Sequence, residues 1–267
     1  MHELPLLIFT LFLQGSVGVT LWLGFGCKPV MGAQASGRSI AIAAAGAFVL
    51  ASLGLLASAL HMGYPLNALN ALRHVASSWL SREIVFASLY LAALGLAVLL
   101  LFFNKPGGKA LLALAGIVGL VDVFCMAQIY MHASVMTWQH VNTLVLFIGS
   151  VGILSSAVVA LGAQTRSALR VAAIVVTLLV LIRLLMQPVW LADIAALDHT
   201  VVTFPHDPLH ALEQLRGVHL LGWCVSAVGM LGFAAGALKQ TRGLLLVGSA
   251  LLVFGEVLLR FVFFSIG

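Results

Sequence analysis

Charge is what this sequence has least of. Only 8% of its 267 residues are Asp, Glu, Lys or Arg, against 62% hydrophobic. Soluble domains carry roughly 25% charged residues, so a water-facing surface around one core is excluded. Cysteine is scarce too. Cys27, Cys125 and Cys224 lie far apart and form no CxxC. That argues against an iron–sulfur cluster or zinc site of the chain's own, and it implies no disulfide framework. Alternating strands are also missing. A transmembrane β-barrel needs segments of about 10 residues with alternating polarity, and the apolar runs here do not alternate. The N-terminus lacks a basic region and a small-residue cleavage site, so the first apolar run reads as a retained span. No linker or soluble domain interrupts the chain.

What is present is a series of apolar runs, each long enough to cross a hydrocarbon core of about 30 Å as a helix. Eight are expected, over about 5–27, 38–62, 83–103, 109–131, 141–163, 168–187, 217–237 and 243–264. Turn residues punctuate them: Pro29 and Gly32, then Pro106-Gly107-Gly108, then Pro188. The fold class is an all-α integral membrane protein, one transmembrane domain over residues 1–267 built as a bundle of eight helices.

The few charges divide by side. Loops one, three, five and seven hold Lys28, Arg38, Lys105, Lys109, Arg166, Arg170, Lys239 and Arg242, and no acid. The other side carries Glu3, Asp193, Asp198, Asp207 and Glu213, with Arg73, Arg82 and Arg216, and Glu83 at its edge. The positive-inside rule therefore places both termini on the outer side of the membrane, the periplasmic side if that membrane is a bacterial inner one. The net charge of +5 is a topology signal and not a nucleic-acid footprint, because the basic residues sit in short loops.

Four charged residues fall inside spans: Asp122, Arg183, Glu256 and Arg260. Intramembrane charges are costly and default to functional hypotheses. Glu256 and Arg260 share a helix face four residues apart and can pair; Asp122 and Arg183 are candidates for a second pair. A structural ion pair that locks the bundle fits these residues as well as a functional network does. The nine histidines obey the same asymmetry as the charges: all lie at or near the outer ends of spans. A haem pair crossing the bilayer needs axial ligands at two depths, and only one depth is supplied.

The longest break in apolar character in the first half runs from His61 to Ile84. Gly63 and Pro65 end the second span, since a proline disfavours helix at the residue before it. Apolar residues from Leu66 onward recur at helical spacing, with Asn67, Asn70, Arg73 and His74 on other faces, which predicts a short interfacial helix. Ser81 is the expected cap of the third span, with Glu83 in its first turn. His61 and Glu83 end adjoining spans and can face one cavity. Quinol oxidation needs groups that take up hydroxyl protons, and His and a carboxylate suit that task. The same spacing also fits a helix-end histidine bonded to a carbonyl and an ordinary first-turn acid.

Several segments resemble the membrane-anchor subunit of the anaerobic dimethyl sulfoxide reductase family. They are His2-Glu3 with Pro5-Leu6 and Ile8-Phe9-Thr10; Leu60-His61-Met62-Gly63-Tyr64-Pro65; Ala71-Leu72-Arg73; Ser78-Trp79-Leu80-Ser81-Arg82-Glu83-Ile84; and Gly255-Glu256 with Arg260 and Phe263. The similarity runs over the whole chain, and the LHxGxP and SWLSREI segments are specific together. Asn67 departs from the pattern, where a basic residue is the family expectation. The resemblance implies a menaquinol-oxidising anchor with no haem or iron–sulfur cluster of its own. It implies an iron–sulfur electron-transfer subunit and a molybdopterin catalytic subunit as partners on the outer face. It implies a quinol site at His61 and Glu83, with Gly63 and Arg73 beside them.

Two other functions remain open on the residues. One is a transporter with a substrate site among Asp122, Arg183, Glu256 and Arg260; the other is an anchor with a single outer haem b. The sixth loop, about 188–216, carries Trp190, Phe204 and four acids. It is expected to dock an extramembrane partner, with the Trp138 segment on the same surface.

Overall fold

The computed structural model describes residues 4–32, 36–61, 70, 72–163, 165–196 and 208–267. All regular structure among them is helical. The α-helices are α1 (Leu4–Met31), α2 (Gly37–His61), α3 (Trp79–Phe102), α4 (Gly108–Met131), α5 (Val141–Gly162), α6 (Arg166–Ala195), α7 (Pro208–Gln214), α8 (Arg216–Lys239) and α9 (Arg242–Ser265). Short 3-10 turns occupy Leu72–His74 and Met136–Trp138. All but α7 are long and apolar enough to cross a membrane, which gives the eight expected spans. Helices are what such runs must form, because lipid offers no partner for a free backbone N–H or C=O.

Local chemistry sets most ends. Ser78 takes an extended conformation and its side chain accepts the Ser81 N–H at 3.4 Å, which starts α3. The expected cap, Ser81, is instead buried in the first turn, and the helix begins four residues before Glu83. Ser78 wins because its hydroxyl lies one position outside the helix, where an N-cap must be. Gly107, at φ 86, turns the chain into α4 in a conformation that glycine adopts without strain. Thr165 caps α6 through the Ala168 N–H at 3.2 Å.

Two prolines do not act as terminators. α1 continues past Pro29 to Met31 after a non-helical Gly26 (φ −113, ψ 20). α6 continues through Pro188 to Ala195, a 30-residue helix. Residues 188–195 are therefore helix, not loop. Packing holds this extra length: Trp190 and Ile194 are buried against Val262 and Ile266 of the α9 end. The Trp190 indole also donates to the Thr137 carbonyl at 3.2 Å. Trp190 is thus a packing residue and not part of an exposed docking surface.

α1 and α5 are the most enclosed helices. α1 packs on α2, α4 and α5 and meets α9; α2, α3 and α4 complete one half of the bundle, α6, α8 and α9 the other. The α8–α9 pair is the closest. A Cβ on Gly229 would stand 2.9 Å from the Leu252 nitrogen, and one on Gly236 would stand 2.6 Å from the Leu245 nitrogen. Small residues spaced by seven thus let two backbones touch, as helix association in lipid favours. Outward-facing side chains such as Leu185 and Leu238 remain exposed, which suits a lipid surround.

Candidate functional site

Two polar clusters lie within the bundle. The first sits where α2 ends and α3 begins. His61 is the last residue of α2; its side chain and Gly63 lie outside the described residues, as does the helix expected from Leu66. Arg73 stands in the Leu72–His74 turn and is exposed. Arg82 folds back to donate from Nε to the Val75 carbonyl at 2.9 Å and from a terminal nitrogen to the Ala76 carbonyl at 2.6 Å. Its guanidinium also lies over the Trp79 ring at 4.2 Å. Arg82 therefore fixes the approach to α3. Trp79 in turn meets Phe124 and His132 of the α4 end, with ring centroids 6.0 Å and 5.7 Å away.

Glu83 faces inward and is only 7% exposed. On α4, which packs against α3, is Asp122, fully buried. The two carboxyls are within electrostatic reach of each other. Neither oxygen of Asp122 has a hydrogen-bond partner among the described residues, although the Ala87 backbone of α3 lies close. Cys125, buried one turn from Asp122, borders the same pair. Further along α3, the Tyr90 hydroxyl meets Ser16 Oγ at 2.6 Å and Thr20 Oγ1 at 3.0 Å, so polar groups continue into α1.

The second cluster joins α1, α5, α6 and α9. Arg183 makes a two-pronged ion pair with Glu256, the second contact at 3.3 Å. Ser150 donates to Glu256 Oε2 at 2.6 Å and accepts from Arg260 at 3.0 Å. Arg260 also donates to Gln14 Oε1 at 2.8 Å and stacks on Phe147 at 4.0 Å. This corrects both pairings expected from the sequence. Arg183 meets Glu256, not Asp122, and Arg260 reaches Glu256 through Ser150. Helix rotation decides it: α6 and α9 both face α5, while Asp122 on α4 faces α3. Gly149 makes the room, since a Cβ there would lie 2.9 Å from Arg183 Cδ. Gln14 and Ser150 were not singled out in the sequence; a lone Gln in an otherwise apolar span is the signal that marks such a residue.

At the same end of the bundle, His140 bridges α5 and α6. Its Nδ1 accepts the Asn142 N–H at 2.9 Å, so Nε2 carries the proton and donates to Asp193 Oδ2 at 2.9 Å. Trp138, expected on a docking surface, packs instead against Tyr130 and Phe263 and donates to the Phe263 carbonyl at 2.8 Å. Of the rest of the expected docking loop, 197–207 lies outside the described residues, and Pro208–Gln214 forms the short helix α7. Among the described residues, no three of His, Cys, Asp and Glu come together as a metal-ligand set.

The first cluster holds two buried carboxyls, and the second holds a hydrogen-bonded charge network. Residues 1–266 match the family described as DMSO reductase anchor subunit (DmsC). The sequence is 36% identical over 147 residues to an anaerobic dimethyl sulfoxide reductase subunit of Escherichia coli, an alignment spanning 53% of this protein and 51% of that one. It is 32% identical over 149 residues to a second such subunit of the same organism, YnfH, spanning 55% and 52%. Similarity to the anaerobic dimethyl sulfoxide reductase subunit of Haemophilus influenzae is 29% over 149 residues, spanning 54% and 52%. The protein thus spans about half the length of the curated relatives it matches. No solved structure matches it.

Proposed function

This chain belongs to the DMSO reductase anchor subunit (DmsC) family and is a multi-pass inner-membrane protein, and from that premise we propose that it oxidises menaquinol for a respiratory molybdoenzyme. Quinol enters from the bilayer beside the α2 and α3 ends. His61 takes one hydroxyl proton and Glu83 takes or relays the other. Two electrons leave for an iron–sulfur subunit seated over this end, which passes them to a molybdopterin catalytic subunit. The positive-inside distribution favours the outer face for these partners and for both termini. Protons are then released outside.

The observation that carries this reading is that Glu83 and Asp122, both buried on the packed helices α3 and α4, stand within electrostatic reach of each other, next to the helix that ends at His61. Two enclosed carboxyls with no ion-pair partner among the described residues cannot both carry charge cheaply. Such a pair holds and hands on a proton. Asp122 thus becomes a second proton group of the site instead of a partner for Arg183. Arg73, exposed in the Leu72–His74 turn, borders the approach in this proposal, and Gly63 is assigned to the site by the family resemblance alone.

The test compares the assembled complex with His61→Ala, Glu83→Gln and Asp122→Asn variants. Quinol-dependent reduction is expected to fall about a hundred-fold or more in the first two, while reduction by an artificial dye donor stays intact. Asp122→Asn should keep quinol-analogue binding yet slow turnover. Normal quinol turnover in the His61 and Glu83 variants would remove the assignment.

A further inference from the structure

A separate feature lies at the opposite end of the bundle, where the α5–α6 and α8–α9 connections enclose a cleft of about 610 Å³. Its rim is polar: Thr165, Arg166, Gln240 and Arg242. Its floor is Leu169 and Leu245, both buried. Arg166 and Arg242 are exposed, and neither has an ion-pair partner among the described residues. All charged residues of the four loops at this end are basic. Two long helices begin at the cleft, α6 at Arg166 and α9 at Arg242. Their first-turn amides and positive dipole ends favour an anion there. Thr165 satisfies one amide of α6, but Thr241 makes no side-chain cap on α9, so the first-turn donors of α9 are left without a cap. Gln240 turns the chain at φ 55, and a Cβ on Gly162 or Gly243 would meet nothing within 4 Å, so the mouth is open.

The lining is split as a lipid is split. The arginines stand at the helix ends, at headgroup depth, while Leu161 and Leu246 line the same cleft and are 53% and 56% exposed. We propose that the cleft binds the phosphate of an anionic phospholipid. Arg166 and Arg242 clamp the phosphate oxygens, the first-turn amides of α9 donate to them, and the acyl chains run out over Leu161 and Leu246. The absence of acidic loop residues at this end leaves nothing to hold the ammonium group of a zwitterionic headgroup. A basic pocket between helices at the cytoplasmic side is a recognised setting for such headgroups. The leaflet concerned follows from the orientation proposed above, whereas the site itself does not depend on the quinol assignment.

The test uses the delipidated complex and follows thermal unfolding and lipid binding by native mass spectrometry. Probes are phosphatidylglycerol, cardiolipin, phosphatidylcholine and inorganic phosphate. The expected result is stabilisation and retained lipid with the two anionic lipids only. Arg166→Gln/Arg242→Gln should weaken that binding roughly thirty-fold, at about fivefold per arginine. Lys105→Gln/Lys109→Gln, at another loop of the same end, should leave it unchanged. Equal effects of the two double variants would reduce the cleft to general surface charge and overturn the site. Inorganic phosphate acting alone, or phosphatidylcholine acting equally, would overturn the anionic-lipid assignment.

Discussion

Arg183 pairs with Glu256 directly and Arg260 is linked to it through Ser150, and that linkage defines the stability problem at residue scale. Glu256 is 2% exposed and the two arginines 3% each. Removing one partner of a buried ion pair strands the others and costs about 3–5 kcal/mol. Glu256→Gln should therefore lower the unfolding temperature more than the double change Arg183→Met/Glu256→Met, which removes charge on both sides. Calorimetry on the purified complex checks the order, and a larger loss in the double variant would mean that the network is not energetically coupled. Of these residues, the charged ones were legible in the sequence as costly intramembrane groups. Their partners were not, because a spacing of four along α9 says nothing about Ser150 or Gln14 on other helices. The electrostatic proximity of Glu83 and Asp122 was hidden for the same reason: each residue is visible as a carboxyl, but their both facing the α3–α4 interior depends on how the helices rotate.

At the scale of elements, hydropathy was enough to place all eight spans, since length and apolarity alone decide what can cross a bilayer. Ends were read less well. Ser78 rather than Ser81 caps α3, and Pro188 sits inside α6. A proline removes one backbone donor and clashes with the preceding turn, at about 3 kcal/mol in a helix interior. Packing of Trp190 and Ile194 against the α9 end compensates, and no local pattern announces it. The α8–α9 seam offers a clean test of close packing. Gly229→Leu puts a side chain where a backbone nitrogen stands 2.9 Å from the Cβ position. The expected cost is about 1–3 kcal/mol or more, read as a lower unfolding temperature. Gly46→Ala on α2, whose Cβ would meet nothing within 4 Å, should be near neutral. Equal effects would show that α8 and α9 are not held by backbone contact.

At the scale of the whole molecule, an even number of spans brings both termini to one end, with the basic loops at the other. The orientation proposed here predicts which end meets the periplasm. In a cysteine-free background, a membrane-impermeant maleimide applied to spheroplasts should label Ser77→Cys and not Ser167→Cys, both exposed positions at opposite ends. The reverse pattern would move the quinol site and its partners to the cytoplasmic face. The sequence by itself determined membrane residence, the number of helices, the segregation of charge and the family, because hydrophobic length, loop charge and short motifs are properties of residues in order. Only the tertiary structure decided that Glu256 serves Arg183, that Asp122 is buried within electrostatic reach of Glu83, and that two arginines from distant turns rim one cleft. Those contacts depend on helix rotation and approach, which in lipid are set by small-residue seams and buried polar bonds rather than by any local period.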